Sequence, residues 1–180
     1  MRTPTWRRGV WQAPAGANAS LAGVTDLPAK LNDKQSGTLN LLGINCLRDF
    51  PVLGCVVWGA RTLRGAEAFA DDYRYVPVRR LADHIETSLK RGLQWTMFEP
   101  NDAQLWAAVR QAAAPFLDDL YRMGAFFGTA SSNAWFLHCD ASTTTAADIE
   151  NGVVNVIVGF APERPAEFVV LQLQLSAATP

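Results

Sequence analysis

The sequence predicts an α+β fold: a mixed β-sheet of about six strands packed against two main helices, with an extended N-terminal segment. Three observations carry this. Several short runs are β-rich or alternate with a period of two, two longer runs repeat at helical spacing, and strands and helices do not alternate strictly along the chain. The chain has 180 residues, 49% hydrophobic and 18% charged, which suits one domain with a real core and excludes whole-chain disorder. Six Trp and nine Phe add large apolar areas for burial or contact.

Residues 1–31 differ from the rest. Pro4, Pro14 and Pro28 punctuate them, Gly9, Gly16 and Gly23 loosen them, and no period survives, so they read as an extended segment lying along a surface. Trp6, Val10 and Trp11 are too apolar for a free linker and are expected to dock. Residues 32–180 then form the α+β domain. Asn32 with Gln35 makes a capping box for a short helix ending at Gly43. Residues 44–48 and 55–60 read as two strands around a turn at Phe50, Pro51 and Gly54. Pro77 opens a helix whose Val78, Leu81, Ile85 and Leu89 share one face, with Gly92 past its end. On this reading Leu81, Ile85 and Leu89 pack against a strand at 93–98 carrying Trp95 and Met97, while Arg80 and Glu86 are exposed.

Asn101 with Gln104 is the stronger capping box, opening the longest helix at 102–123, which Gly124 closes and Pro115 should bend or split. Residues 135–139 and 153–160 are β-rich, with one capped turn at 144–151 between them. In the last run, 168–175, Val169, Leu171, Leu173 and Leu175 alternate with Val170, Gln172 and Gln174, as in a strand with one buried face.

Charge and cysteine usage narrow the function classes. The net charge of −1 argues against a nucleic-acid binder. It hides a polarity: residues 1–91 carry 13 Lys and Arg against 8 Asp and Glu, and residues 92–180 carry 3 against 9. Two halves folded against each other would explain this, and so would a head-to-tail contact between copies. Three cysteines, none in a CxxC, indicate neither a disulfide framework nor a zinc ribbon, although Cys46 and Cys55 flank one turn. No run approaches the roughly 20 apolar residues of a membrane helix, and the basic start lacks the apolar region of a signal peptide.

No phosphate loop, nucleophile elbow or dinucleotide fingerprint is present. His138, Cys139 and Asp140 are the most suggestive cluster, but strand neighbours point to opposite faces, so only His138 and Asp140 share one. A small cytosolic enzyme would use that pair. His84 reads as solvated, the Asp71/Asp72 and Asp118/Asp119 pairs as surface charge, and Trp58, Trp95, Trp106 and Trp135 as mostly core. Arg79 and Arg80 open a helix, where cations oppose its dipole, a hint of a partner surface.

Longer runs carry a resemblance. Val57-Trp58-Gly59-Ala60-Arg61-Thr62-Leu63 is followed by Tyr73-Arg74-Tyr75-Val76-Pro77-Val78-Arg79-Arg80-Leu81, Ile85-Glu86-Thr87-Ser88, Gln94-Trp95-Thr96-Met97-Phe98-Glu99-Pro100-Asn101-Asp102 and Leu105-Trp106. Together with Arg8-Gly9-Val10-Trp11-Gln12-Ala13-Pro14-Ala15-Gly16, Leu42-Gly43-Ile44-Asn45-Cys46-Leu47-Arg48 and Ala161-Pro162-Glu163-Arg164-Pro165-Ala166-Glu167-Phe168-Val169, they resemble the C-terminal region of contractile phage tail sheath proteins, in order and over nearly the whole chain.

The resemblance implies a structural subunit, not an enzyme, that polymerises helically with other sheath subunits around a tail tube and contracts to drive it through an envelope. It serves phages, phage-like bacteriocins and injection particles alike. It implies no cofactor, no nucleic acid and no membrane insertion, a possible baseplate contact, and a place in a virion tail or tail-like particle assembled in the bacterial cytoplasm. Sheath subunits of this kind interlock by strand addition, so Phe168, Val170, Gln172 and Gln174 are the expected intersubunit strand. Arg79, Arg80, Lys90 and Arg91, which bracket the first main helix, are the expected tube-facing residues. Family members carry a sizeable portion ahead of the matched segment, so the expectation is a truncated product, an excised domain or a reduced sheath. A tail adaptor that caps or joins a sheath without polymerising is a third reading.

Overall fold

The computed structural model of the chain describes residues 9–163 and 169–176, which divide into two compact units at Leu81 and Ala82. The class is α+β as expected. Among the described residues there are five strands in two separate sheets, all pairs antiparallel, in place of one mixed sheet of six.

The first unit is built on a hairpin. Strands β1 (Cys46–Phe50) and β2 (Gly54–Trp58) pair in register, Cys46 opposite Trp58 and Asp49 opposite Cys55. The two cysteines are therefore not cross-strand partners, and both are buried free thiols. Helix α1 (Asp33–Leu41) precedes the hairpin, and its Asn32/Gln35 capping box is fully formed. Gly43, at φ +81°, turns the chain toward β1 where an added Cβ would lie 2.8 Å from the Ala66 backbone nitrogen, so only glycine fits.

The predicted docking of the N-terminal segment is seen along β2. The Gly16 and Leu21 amides donate to the Val57 and Cys55 carbonyls, the Val57 amide donates to Ala19, and Ser20 bridges Val56. Leu27 is buried, and Val10 and Trp11 are half-buried. Trp6 lies outside the described residues.

The boundary between the units falls within α2 (Val76–Gly92), which includes Pro77 in its first turn and Gly92 as its last residue. Leu81, Ile85 and Leu89 are buried, Arg80 is exposed and Glu86 half-buried, so the helix face is as predicted. The strand at 93–98 is not formed. The Thr96 amide and hydroxyl both bond back to the Leu93 carbonyl, closing a 3-10 turn (Gln94–Thr96) that leaves Trp95 and Met97 exposed.

The second unit continues with α3 (Ala103–Arg122), unbroken through Pro115. Its N-cap is Asp102, which accepts from the Gln104 and Leu105 amides. Asn101 instead accepts from the Trp106 indole and donates to the Val153 carbonyl, a long-range tie. One turn, α4 (Ser131–Ala134), leads into β3 (Trp135–His138); α5 (Ala146–Glu150), with a Thr145/Asp148 capping box, leads into β4 (Val153–Phe160). The sheet ends with β5 (Val169–Ser176), in the order β3-β4-β5.

Val109, Ala113, Leu117 and Leu120 of α3 repeat at helical spacing and are buried, as are Val154, Val156, Val158 and Phe160 of β4. Gly159 faces Phe136 across β3 and β4, and the ring occupies the space a Cβ would take. Of the four tryptophans expected in the core, Trp106 is buried, Trp135 half-buried, and Trp58 and Trp95 exposed.

Candidate functional site

Strand β5 is one of the two edge strands of its sheet, β3 being the other. Its register against β4 sets Val170 opposite Gly159, Gln172 opposite Ile157 and Gln174 opposite Asn155. Leu173 is buried and Gln172 and Gln174 are exposed, which is the alternation the sequence announces. Only the β4 side of this strand is paired among the described residues, leaving its other edge with backbone donors and acceptors to offer. Phe168 lies outside the described residues.

The four basic residues occupy the two ends of α2. The Arg79 guanidinium lies 5.0 Å from the centre of the Tyr73 ring, and Arg80 is exposed. Lys90 pairs with Glu86 at 2.7 Å, and both Lys90 and Arg91 sit in the last turn, where cations complement the helix dipole. The last-turn pair thus has a local reason for its charge. Arg80, in the first turns, has none on its own helix end.

The pair suspected of catalysis does not share a strand face. β3 ends at His138, so Asp140 is no longer on the strand and does not extend its face. The Asp140 carboxylate accepts from the Ser142 hydroxyl and amide, and these bonds hold its pKa below the ordinary carboxylate value. Between them Cys139 is fully buried, and burial pushes its thiol up to about 11, far from a reactive thiolate. His84 is half-buried, its ring centre 6.0 Å from that of Phe116. Among the described residues no group of three or more His, Cys, Asp and Glu is placed to hold a metal, and no helix is long and apolar enough to cross a membrane.

Sequence reasoning passed over a polar clasp in the first unit. Arg61 is buried, its guanidinium 2.7 Å from Glu67, which also pairs with Arg74 at 2.8 Å. Arg61 also donates to the Gly65 carbonyl and lies over the Tyr75 ring, while Asn45 bonds both the amide and the carbonyl of its backbone. The hydrogen bond from Arg61, aided by the Arg61 and Arg74 charges and opposed by desolvation, holds the Glu67 carboxyl below its usual pKa. The bridge from Arg61 to Tyr75 brings together the two sequence runs at 57–63 and 73–81. Nothing in the local pattern marks Arg61 as buried; its partners lie 4 to 16 positions away.

Residues 70–176 match the family model of the phage tail sheath C-terminal domain. The chain belongs to the phage tail sheath family. Over 168 residues it is 23% identical to the tail sheath protein of Enterobacteria phage T4, covering 93% of this chain and 24% of that one. A chain in the anti-feeding prophage baseplate is 40% identical, with 93% of this chain and 46% of that chain covered and a TM-score of 0.79. The contracted sheath complex of the PVC extracellular contractile injection system gives 39% identity, the same 93% of this chain, 46% of that chain and a TM-score of 0.78. The sheath fold alone extends to a tail sheath protein of Listeria innocua at 13% identity, covering 88% of this chain and 37% of that one with a TM-score of 0.64. The chain thus spans about a quarter of the phage T4 protein and just under half of the injection-system chains.

Proposed function

We propose that this chain belongs to a structural sheath subunit that joins other copies in a helical assembly around a tail tube and contracts with it. The observation that carries this is the likeness, at 40% identity over 92% of this chain, to the helical sheath of the anti-feeding prophage in its contracted state. In this reading the particle is a phage tail or tail-like injection device assembled in the bacterial cytoplasm, and the baseplate is a further contact.

The outer edge of β5 is the natural place for a neighbour's strand, with Val170, Gln172 and Gln174 in the shared ladder. Arg80, with Arg79, Lys90 and Arg91, supplies the grip on the tube. Exposed charge pairs contribute only about 0–1 kcal/mol each, which suits a hold that must release. The role calls for no catalysis and no cofactor.

Pelleting the chain with tube and full-length sheath subunits, followed by negative-stain microscopy, tests the reading. Wild-type chain is expected in the pelleted sleeves. Gln172→Pro, which removes one ladder donor from an outer strand, is expected to fold but stay in the supernatant. Arg79→Glu with Arg80→Glu is expected to weaken pelleting with bare tube at low salt. Wild-type chain that never enters a sleeve contradicts the proposal.

A further inference from the structure

In the second unit, residues 93–102 lead from α2 to α3 through two successive turns. The Thr96 amide and hydroxyl bond the Leu93 carbonyl, and the Glu99 amide then donates to the Thr96 carbonyl at 3.2 Å. Met97 at φ −63°, ψ 130° and Phe98 at φ +72° make this second turn type II. Its third position ordinarily takes glycine, because a Cβ is strained in left-handed backbone. Here it holds a phenylalanine.

The strain does not serve burial. Phe98 is 78% exposed, with Trp95 and Met97 near it in the chain at 45% and 43%. A bulky residue held in a costly conformation at the surface points to a role outside the fold. The segment is also fixed on both sides of the turn. Leu93 and Thr96 are buried on one side; on the other, Asn101 donates to the Val153 carbonyl at 3.0 Å and accepts from the Trp106 indole. Side chains on a fixed backbone lose less freedom on binding, and Trp, Phe and Met are types enriched at protein interfaces.

We propose that Trp95, Met97 and Phe98 form an apolar contact with a second copy of the chain, Phe98 at its centre. Two observations select this partner. Val153, to which Asn101 is tied, lies opposite Ser176, the last residue of β5, so the turn is anchored at the end of the strand read as the joint between copies. The three side chains are also large and apolar. Lasting interfaces are the more hydrophobic ones, and neighbouring copies stay joined through contraction whereas the tube must be let go. The proposal rests on the sheath reading for the presence of a second copy, and on the turn alone for the contact.

The test pairs stability of the free chain with entry into sleeves of full-length sheath subunits on tube. In urea, Phe98→Gly should raise the folding equilibrium constant about two- to fivefold, the relief of left-handed strain less the backbone freedom of glycine. Phe98→Ala keeps the strained backbone and removes an exposed ring, so it should stay within about twofold of wild type. Both variants should enter sleeves at least tenfold less well. Phe98→Ala that lowers the folding constant more than tenfold would give the ring a place in its own fold and overturn the proposal. So would normal entry of both variants. The neighbour is identified with Glu99→Cys carrying benzophenone maleimide, the described native cysteines being buried. Irradiated sleeves should yield a product joined to a sheath subunit; a product with tube alone, or none, overturns the second copy. Gln172→Pro separates this contact from the β5 joint. Its exclusion beside normal entry of Phe98→Ala overturns the contact and leaves the joint, whereas the reverse pattern supports the contact and removes the joint. Wild-type chain that never enters sleeves overturns the sheath reading and this contact together.

Discussion

The two units are held by different forces. The second draws on α3, β4 and the end of α2, whose Ile85, Val109, Leu117, Val158 and Phe160 are each fully or almost fully buried. The first holds its 61–75 segment through Arg61, Glu67 and Arg74 and through the Asn45 side chain, and its α1 buries only a serine. An apolar core is tolerant of pH and salt, whereas a clasp that joins buried Arg61 to the solvent-accessible charges of Glu67 and Arg74 is less so. The difference implies that the second unit sets the stability of the domain and the first is the part that can be loosened.

The largest effect should come from emptying the core. Ile85→Ala is expected to cost about 2–5 kcal/mol from lost transfer energy and the cavity left behind, measured by urea denaturation. A loss below about 0.5 kcal/mol would mean that this face of α2 is not part of the core. Arg61→Met should cost less, about 1–3 kcal/mol, since it strands the Gly65 carbonyl while keeping an aliphatic stem in place. Its signature is local: faster amide exchange at 61–75 with little change in the amides of β4.

Acid should act on the same clasp. The folded-state pKa of Glu67 is lowered, so its contribution is fully present above the ordinary carboxylate range and is lost as pH falls through the lowered value. Exchange at 61–75 should rise below the ordinary range in wild type, and Glu67→Gln should abolish that dependence. The smallest effect sharpens the comparison from the other side. Gly37 has ordinary helical φ and open space around an added Cβ, so Gly37→Ala should stabilise the chain by about 0.5–1 kcal/mol in the same urea experiment.

What the sequence shows and what it hides follows the same division. The helix faces, the capping box at Asn32 and the alternation of the last strand were legible because each depends on neighbours within a turn or a pleat; the capped turn expected from Thr144 starts one residue later, at Thr145. The run at 93–98 also alternates, yet it folds into a 3-10 turn, because the Thr96 hydroxyl and amide compete for the Leu93 carbonyl and leave Trp95 and Met97 outside. Both Asn101 and Asp102 are good N-caps; the tie from Asn101 to Val153, 52 positions away, decides between them. Buried Arg61 depends on pairings across the chain that no local period records. The use of the last strand between subunits was what the resemblance implied, not something its own pattern records. The role of Arg79, Arg80, Lys90 and Arg91 came from resemblance alone.

Amide hydrogen exchange along β5, before and after incorporation into assembled sheath, tests the central claim most directly. An outer strand has alternate amides turned away from its partner, and in the free chain these should exchange quickly while the set bonded to β4 is protected. If β5 accepts or donates a strand in the assembly, the fast set should become protected on incorporation, with the slow set unchanged. Fast exchange of the outward amides in the assembled particle would contradict the account and place the joint between subunits elsewhere.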